Sequence, residues 1–303
     1  MQPPDDFNPA PGMPVELAPG LRRLLCPNPS PMTYRGTNTY LLGTTEIAVI
    51  DPGPDDPLHL EAILDAIGLS ARITQIIVTH SHLDHSPLSR ALAQKTGAPV
   101  LAFGDATAGR SAIMSALAQS GLAGGGEGID HAFRPDQILQ EGDQVTGEGW
   151  SLEVLHTPGH LGNHISLAWG EACFTADHVM GWASSLVSPP DGDLTDFMAS
   201  CRKMAARNWS VFYPGHGAPI LDPNARLDWL ISHRLEREAQ IRAALETGSA
   251  TAQKLAAAIY TDVAPALLPA AERNVFAHLI DLNGRDIVRT EDPLGIASQF
   301  ALI

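Results

Sequence analysis

Three histidines and an aspartate within one short segment constrain this chain more than any other feature of its sequence. The segment at residues 79–85 is Thr-His-Ser-His-Leu-Asp-His, and it follows an apolar run that predicts a buried strand. In extended backbone, residues two apart point to the same side, so His80 and His82 can face one position while Asp84 and His85 face a second. Imidazole nitrogen and carboxylate oxygen bind borderline cations such as zinc. The segment therefore predicts part of a site for two metal ions.

Two metal sites need more ligands than this segment offers, and candidates occur downstream. His160, Asp177 and His216 each follow an apolar, strand-like run, and glycine and proline beside His160 and His216 mark tight loops. The chain contains 12 histidines, so one histidine beside a glycine indicates little by itself. The ordered set of candidates is far more specific than any member of it.

This set resembles the metallo-β-lactamase superfamily over residues 21–234. The shared pattern is His-x-His-x-Asp-His, a histidine in a Thr-Pro-Gly-His loop, an aspartate, and a histidine in a Pro-Gly-His-Gly loop. The resemblance implies an α/β fold, specifically a four-layer α/β/β/α sandwich with the metals at one edge between two sheets. It also implies ligand roles: His80, His82 and His160 on the first metal, Asp84, His85 and His216 on the second, and Asp177 with a water or hydroxide bridging both.

Single positions distinguish branches of the superfamily. Classical zinc β-lactamases have a cysteine at the position of Asp177 and lack the histidine found here as His85, which disfavours antibiotic hydrolysis. Diiron oxygen-reducing relatives replace the second histidine by an acid, whereas His82 is intact, which favours hydrolysis. The residue before the bridging aspartate is usually glycine and is Ala176 in this chain.

A closer resemblance, spanning nearly the whole chain, is to the lactamase-beta-two-like group, whose members add a winged-helix-like domain after the sandwich. The animal member of this group is an endoribonuclease, whereas bacterial members are known mostly as hydrolases. The matching segments are residues 35–41, 177–182 and 271–279. We expect an extended N-terminal arm at residues 1–20, a catalytic domain at 21–246 and a winged-helix-like domain at 247–303.

Apolar periodicity predicts helices at residues 58–67, 105–120 and 224–246. Residues 121–128 include five glycines and predict a loop, with a plain connector favoured over a lid near the cleft.

Four residues near the motifs have two interpretations each. Asp51, at the end of a predicted strand, either caps a turn or orients a ligating histidine. Trp182 either contacts a ligand or closes a small core. His164 and His178 flank ligand positions, and packing behind the ligands is favoured over contact with substrate.

Composition limits the partners of this chain. Its 303 residues carry 19 Lys+Arg against 34 Asp+Glu, and the formal charge of −15 disfavours nucleic acid by long-range repulsion. The predicted C-terminal domain has six acids and four bases, whereas a DNA-reading wing is normally basic. We expect a small-molecule substrate, and the sequence leaves a homo-oligomer open.

The cysteines and the N-terminus indicate a compartment. Cys26, Cys173 and Cys201 contain no Cys-x-x-Cys pair and indicate no disulfide framework. The N-terminal segment lacks a signal-peptide pattern, and no apolar run is long enough to cross a bilayer. We therefore expect a cytoplasmic protein without membrane contact.

These inferences combine into a predicted mechanism. Two divalent ions lower the pKa of a bridging water, so hydroxide can attack without a serine or cysteine nucleophile, with Asp84 or Asp177 accepting the proton. The predicted activity is hydrolysis of a small ester, thioester or lactone. An endoribonuclease acting on single-stranded RNA is the alternative, and a non-catalytic binding module is the weakest alternative. The ligand atoms favour Zn²⁺, with iron or manganese as alternatives.

Overall fold

Two facing β-sheets organise the chain, and helices cover their outer surfaces. The computed structural model describes residues 6–126, 128–261, 264, 267–290 and 293–303. The strands of the first sheet are neighbours in the order in which they follow along the chain. They are β1 (Val15–Ala18), β2 (Leu21–Leu25), β3 (Asn38–Leu42), β4 (Glu46–Ile50), β5 (Arg72–Ile77), β6 (Val100–Ala102) and β7 (Gln137–Ile138).

The second sheet has a different order. Its strands are β8 (Gln144–Gly147), β9 (Trp150–His156), β10 (Ile165–Trp169), β11 (Ala172–Ala176) and β12 (Val211–Pro214). Across the sheet they run β12, β11, β10, β9, β8. Strands β11 and β12 are parallel, while the other neighbouring pairs are antiparallel. Because β11 and β12 are parallel, the residues that follow them meet at the same sheet edge.

Helices complete a four-layer sandwich. Between the sheets, Ile50 and Phe174 belong to one apolar cluster. On the outer face of the first sheet, Ile63 packs with Ile76, and on that of the second sheet, Phe197 packs in one cluster with Phe212. The α/β/β/α order predicted from the resemblance is therefore confirmed. The helices of this region are α1 (Pro57–Ile67), α2 (Leu88–Thr96), α3 (Ala112–Gln119), α4 (Leu194–Ala205) and α5 (Pro223–Leu245).

Local sequence explains how the ligand-bearing segment reaches the sheet edge. Strands β4 and β5 are parallel, so the chain must cross over between them, and α1 forms this connection. The Asp56 carboxylate caps α1 by accepting hydrogen bonds from the backbone N–H groups of Leu58 and His59, and the helix begins at Pro57. Gly68 follows the last turn with a φ of 72°. The end of β5 then lies beside the end of β4, and residues 79–85 begin there.

The C-terminal elements have a core of their own. They are α6 (Ala252–Ile259), α7 (Leu268–Gly284), β13 (Val288–Thr290) and β14 (Phe300–Leu302). Val275 and Phe276 of α7 pack in one cluster with Ile241 and Leu245, which are the end of α5. Helix α5 thus contributes to both the sandwich and this second core. The domain boundary expected at residue 247 stays a prediction.

Two segments differ from the sequence-based expectations. Within the segment expected to be an extended arm, Val15–Ala18 forms β1, while residues 1–5 lie outside the described part. The helix expected at 105–120 begins only at Ala112, because the Asp105 carboxylate accepts hydrogen bonds from both the N–H and the hydroxyl of Thr107. Such a local turn competes with helix formation.

Some C-terminal expectations fall on positions that the structure leaves undescribed. Three of the acids counted there, Asp262, Glu291 and Asp292, lie outside the described residues. Among the helices that are described, none combines the length and the apolar character needed to traverse a bilayer.

Candidate metal centre

The structure brings all seven predicted ligands to one edge of the sandwich. Four follow β5, His160 lies between β9 and β10, Asp177 follows β11, and His216 follows β12. None of the seven is more than 8% exposed. They divide into two groups that share Asp177, and within each group one ligand atom from every residue lies within 4.8 Å of the others.

The first group consists of three imidazoles and one carboxylate. The Nδ1 atom of His82 lies 3.0 Å from Nε2 of His80 and 3.0 Å from Nε2 of His160. The Oδ2 atom of Asp177 lies 3.6 Å from the same nitrogen of His160. Three ring nitrogens and one carboxylate oxygen thus surround one point.

The second group consists of two carboxylates and two imidazoles. Oδ2 of Asp84 lies 3.2 Å from Nε2 of His216 and 3.4 Å from Nε2 of His85. Asp177 contacts the same two rings, with Oδ1 lying 3.4 Å from His85 and Oδ2 lying 3.3 Å from His216. Asp177 is therefore the residue that joins the two groups.

Hydrogen bonds behind the rings fix which nitrogen faces the centre. Nδ1 of His160 donates to the carbonyl oxygen of Leu186 at 2.8 Å, and Nδ1 of His216 donates to that of Gly36 at 3.1 Å. Nδ1 of His85 donates to a carboxylate oxygen of Asp51 at 3.0 Å. In each of these rings Nδ1 holds a proton, so the inward Nε2 is the nitrogen that can bind a cation.

His80 is oriented through a hydroxyl group. The Thr79 hydroxyl donates to Oδ2 of Asp51 at 2.7 Å, so its oxygen accepts a hydrogen bond from Nδ1 of His80 at 3.0 Å. Asp51 also accepts from the backbone N–H of Thr79. Asp51 thus supports His80 and His85 from behind, as expected for a residue that orients ligating histidines.

These contacts test whether the residues fit metal ions. Nε2 of His80 and Nε2 of His160 both carry lone pairs that face Nδ1 of His82, which can donate only one proton. Both side-chain oxygens of Asp84 and Oδ1 of Asp177 are buried with no hydrogen-bond partner among the described residues. Buried polar atoms normally have partners. Two divalent cations would satisfy these atoms, so the residues fit a dinuclear site of nitrogen and oxygen ligands.

Electrostatics differ between the two groups. Burial lowers the pKa of His82 to about 3, so its ring is neutral at neutral pH, which is the form that binds a cation. Burial would also lower the pKa of His216, but the carboxylates of Asp177 and Asp84 outweigh burial and raise it to about 10. Without a cation, Nε2 of His216 therefore holds a proton between these carboxylates, and a bound cation would replace that proton.

Two backbone positions next to the centre adopt left-handed conformations. Ala176, which replaces the usual glycine before Asp177, has a φ of 42°, and Asp51 has a φ of 50°. Residues other than glycine adopt this region at a cost, and such positions are frequent at functional sites. The alanine therefore retains the conformation that glycine adopts freely.

The flanking histidines lie behind the ligands. His164 is fully buried, its ring centroid is 5.0 Å from that of His80, and its Nδ1 contacts the Thr157 hydroxyl. His178 is also fully buried and contacts the thiol of Cys201. Both contacts agree with packing roles rather than with contact to substrate.

The glycine-rich segment pairs with the ligand segment. The N–H of Leu83 donates to the carbonyl of Gly128, and His82 forms an antiparallel bridge with Ile129. Residue 127 lies outside the described part of the chain. The segment therefore flanks the first group of ligands.

Several supporting groups had no signal in the sequence. The carbonyls of Gly36 and Leu186 orient two ligands, but every residue has a carbonyl and no side chain marks these two. Thr79 was visible as a neighbour of the motif, yet its hydroxyl bridge to Asp51 depends on the pairing of β4 with β5.

Comparison with known proteins identifies the family. The family model of the metallo-beta-lactamase superfamily matches residues 32–216. A beta-lactamase-like protein 2 homolog from Drosophila melanogaster is 31% identical over 280 residues, which cover 88% of this chain and 89% of that protein. The chain belongs to the metallo-β-lactamase superfamily. This superfamily hydrolase also matches the beta-lactamase associated winged helix domain at residues 251–295.

Other similarities extend over the sandwich and beyond it. A protein of Aspergillus fumigatus named atrochrysone carboxyl ACP thioesterase is 30% identical over 242 residues, covering 76% of this superfamily member and 66% of the fungal protein. The crystal structure of a beta-lactamase domain protein from Burkholderia ambifaria has a TM-score of 0.82 at 22% identity, and it covers 99% of this chain and 96% of that one. At this identity the structural likeness shows the fold.

Proposed function

We propose that this protein is a dimetal-dependent hydrolase of small ester, thioester or lactone substrates, and that thioesters are its preferred class. The observation that carries the proposal is the convergence of seven buried nitrogen and oxygen ligands in two groups that share Asp177. The likeness to a protein named as a thioesterase supports the choice of thioesters.

The proposed residue roles follow from the two groups. The first ion would be held by His80, His82 and His160, the second by Asp84, His85 and His216, and both by Asp177. The ligand atoms favour Zn²⁺, with iron or manganese as alternatives. When bound, two divalent ions lower the pKa of a coordinated water and stabilise negative charge on the attacked carbonyl.

Asp84 is the proposed proton acceptor. Its Oδ2 faces the rings of His216 and His85, whereas its Oδ1 is buried and has no hydrogen-bond partner among the described residues. Oδ1 would take the proton from the attacking water and return it to the leaving thiolate or alkoxide. Asp177 contacts rings of both groups, so holding the two halves together is its proposed role.

The cysteines are unsuited to nucleophilic attack. Burial raises the pKa of Cys26 and of Cys201 to about 12, and the thiolate is the reactive form. Cys173 is fully buried as well. The proposed reaction therefore uses water as its nucleophile and forms no covalent intermediate with the chain.

Net charge supports small substrates over RNA. The formal charge of −15 opposes the approach of a polyphosphate backbone, although it places little restriction on a small neutral acyl compound. The winged-helix domain by itself does not reverse this balance, because its acids outnumber its bases.

A substrate panel tests the proposal. Metal-reconstituted protein is assayed with small thioesters, oxygen esters, lactones and short single-stranded RNA, beside Asp84→Asn and the exposed control Asp65→Asn. We expect thioester turnover in the wild type and the control, and a loss of at least about 100-fold in Asp84→Asn, with the metal content of each protein measured beside its activity. Cleavage of RNA without turnover of any acyl substrate would overturn the proposal in favour of an endoribonuclease.

A further inference from the structure

An apolar cavity of about 370 Å³ is lined in part by Gly181 and Trp182, which follow Asp177 along the chain, and by Ala218, which follows His216. Its walls come from the loop after Asp177, the loop after His216 and the first turns of α5. The lining includes the rings of Tyr34, Trp182 and Trp229 and the side chains of Ile220 and Ala225. The proposed chemistry at the metal centre does not use this cavity.

The cavity adjoins the metal centre through Trp182. A Cβ atom added at Gly217, the residue after His216, would lie 2.8 Å from Cδ1 of Trp182, so the indole ring covers the backbone next to this ligand. The ring of Tyr34 stacks on Trp182 with centroids 5.2 Å apart. Tyr34 adopts a left-handed φ of 58°, two residues before the Gly36 carbonyl that orients His216. The segment that carries Tyr34 and Gly36 therefore contributes both to the aromatic wall of the cavity and to the orientation of His216.

The charged residue in the lining is already engaged. Nε of Arg226 donates to the carbonyl of Met180 and Nη2 donates to that of Ala183, both at 2.7 Å. The guanidinium carbon lies 4.2 Å from the centroid of the Trp229 ring. Arg226 therefore holds the loop after Asp177 and packs against the wall, so the cavity matches an apolar group better than an anion.

We propose that this cavity, here named the acyl cavity, binds the apolar acyl group of the substrate while the reacting carbonyl lies at the metal centre. This inference rests on the proposed function. Each methylene moved from water into such a site contributes about 0.8 kcal/mol, which corresponds to about fourfold in kcat/KM. The protein should therefore prefer longer acyl groups until the cavity is full.

Thioesters of N-acetylcysteamine, from acetyl to octanoyl, test this preference. We expect kcat/KM to rise about fourfold per methylene and then to level off. Ala225 is exposed on α5, so Ala225→Trp can fill the cavity without disturbing the core. This variant should raise KM for octanoyl at least about tenfold, the equivalent of losing about two methylenes of contact.

Matched variants separate cavity effects from general ones. Ala239→Trp adds the same side chain at an exposed position of α5 outside the lining and should keep the full chain-length dependence. Trp229→Ala removes a wall instead of filling the space, and it should also reduce the octanoyl-to-acetyl ratio. A flat series in the wild type, or a series unchanged in both Ala225→Trp and Trp229→Ala, would overturn the inference.

A binding measurement distinguishes this inference from the proposed function. Octanamide is uncharged and is not a thioester, and its binding can be followed by calorimetry in wild type and Ala225→Trp. Binding to the wild type but not to Ala225→Trp, in a protein that hydrolyses no thioester, would retain the cavity and reject the proposed activity. Thioester hydrolysis without octanamide binding and without chain-length dependence would reject the acyl cavity and retain the proposed activity.

Discussion

Nδ1 of His82 and Nε2 of His160 lie 3.0 Å apart, although 78 positions separate the two residues in the chain. His160 donates its Nδ1 proton to the carbonyl of Leu186, so its Nε2 can only accept. Nδ1 of His82 also lies 3.0 Å from Nε2 of His80, which likewise can only accept a hydrogen bond. One shared proton cannot satisfy three converging nitrogens, whereas one cation can, and this arrangement gives the metal-centre proposal its most direct physical basis.

Metal stoichiometry should follow the two groups of ligands. We expect about two divalent ions per chain in the wild type, from the two four-ligand groups, about one in His160→Ala and about one in His216→Ala. Asp177→Ala should weaken both sites because Asp177 belongs to both groups. Metal analysis after dialysis measures these values, with His131→Ala at an exposed position as the control. Two tightly held ions in His160→Ala would contradict the assignment.

The seven candidate ligands could be chosen from the sequence because they are side chains in a distinctive order. Their convergence was expected from the resemblance and from the apolar, strand-like runs that precede them in the sequence. The left-handed φ of 42° at Ala176 could not be predicted, because the identity of a residue other than glycine does not indicate this backbone conformation. The stacked pair of Tyr34 and Trp182 was likewise beyond prediction, since its partners come from distant segments.

Asp51 should control affinity at the centre without binding an ion itself. Its carboxylate accepts from His85 and from the Thr79 hydroxyl that supports His80. Asp51→Asn replaces one acceptor oxygen by a donor and should weaken metal binding about 10–100-fold, the usual effect of removing such support. Competition with a chelator measures the change. Unaltered affinity in a folded Asp51→Asn protein would mean that the ring orientations do not depend on this carboxylate.

His59 should make stability depend on pH. It is buried and donates from Nε2 to the Thr39 hydroxyl oxygen, whose own proton goes to the carbonyl of Asp51. Burial lowers its pKa to about 4, below the value of about 6.5 in an unfolded chain. Between these values the unfolded state binds more protons, so this contribution is complete above pH 6.5 and is lost as pH falls towards 4.

Replacing His59 isolates its share of that dependence. His59→Gln keeps a donor for Thr39 but cannot gain a proton, so its unfolding free energy should fall less steeply than that of the wild type between pH 6.5 and 4.5. The slopes should differ by at most about 1.4 kcal/mol per pH unit, the limit for one proton. Urea unfolding at several pH values measures both slopes. Equal slopes would mean that His59 gains its proton in the folded protein as readily as in the unfolded chain.

The C-terminal domain should influence the first group of ligands through Asn274. Its Oδ1 accepts from Nη1 of Arg234 at 3.2 Å and from the N–H of Val187 at 3.4 Å, next to the Leu186 carbonyl that orients His160. Asn274→Ala leaves the buried Arg234 without this acceptor, which should cost about 1–3 kcal/mol of unfolding free energy.

The same change should weaken metal binding, because a looser Leu186 carbonyl orients His160 less well. Asn274→Asp keeps the acceptor and should restore both stability and affinity. Asn283 offers a matched control on α7, since its amide donates to the carbonyl of Val288 within the C-terminal domain. Asn283→Ala should lower stability but leave metal affinity unchanged in chelator competition. Equal loss of metal in both alanine variants would show a general effect of destabilisation. Loss confined to Asn274→Ala would show that the contact of Asn274 with the loop at Leu186 supports the orientation of His160.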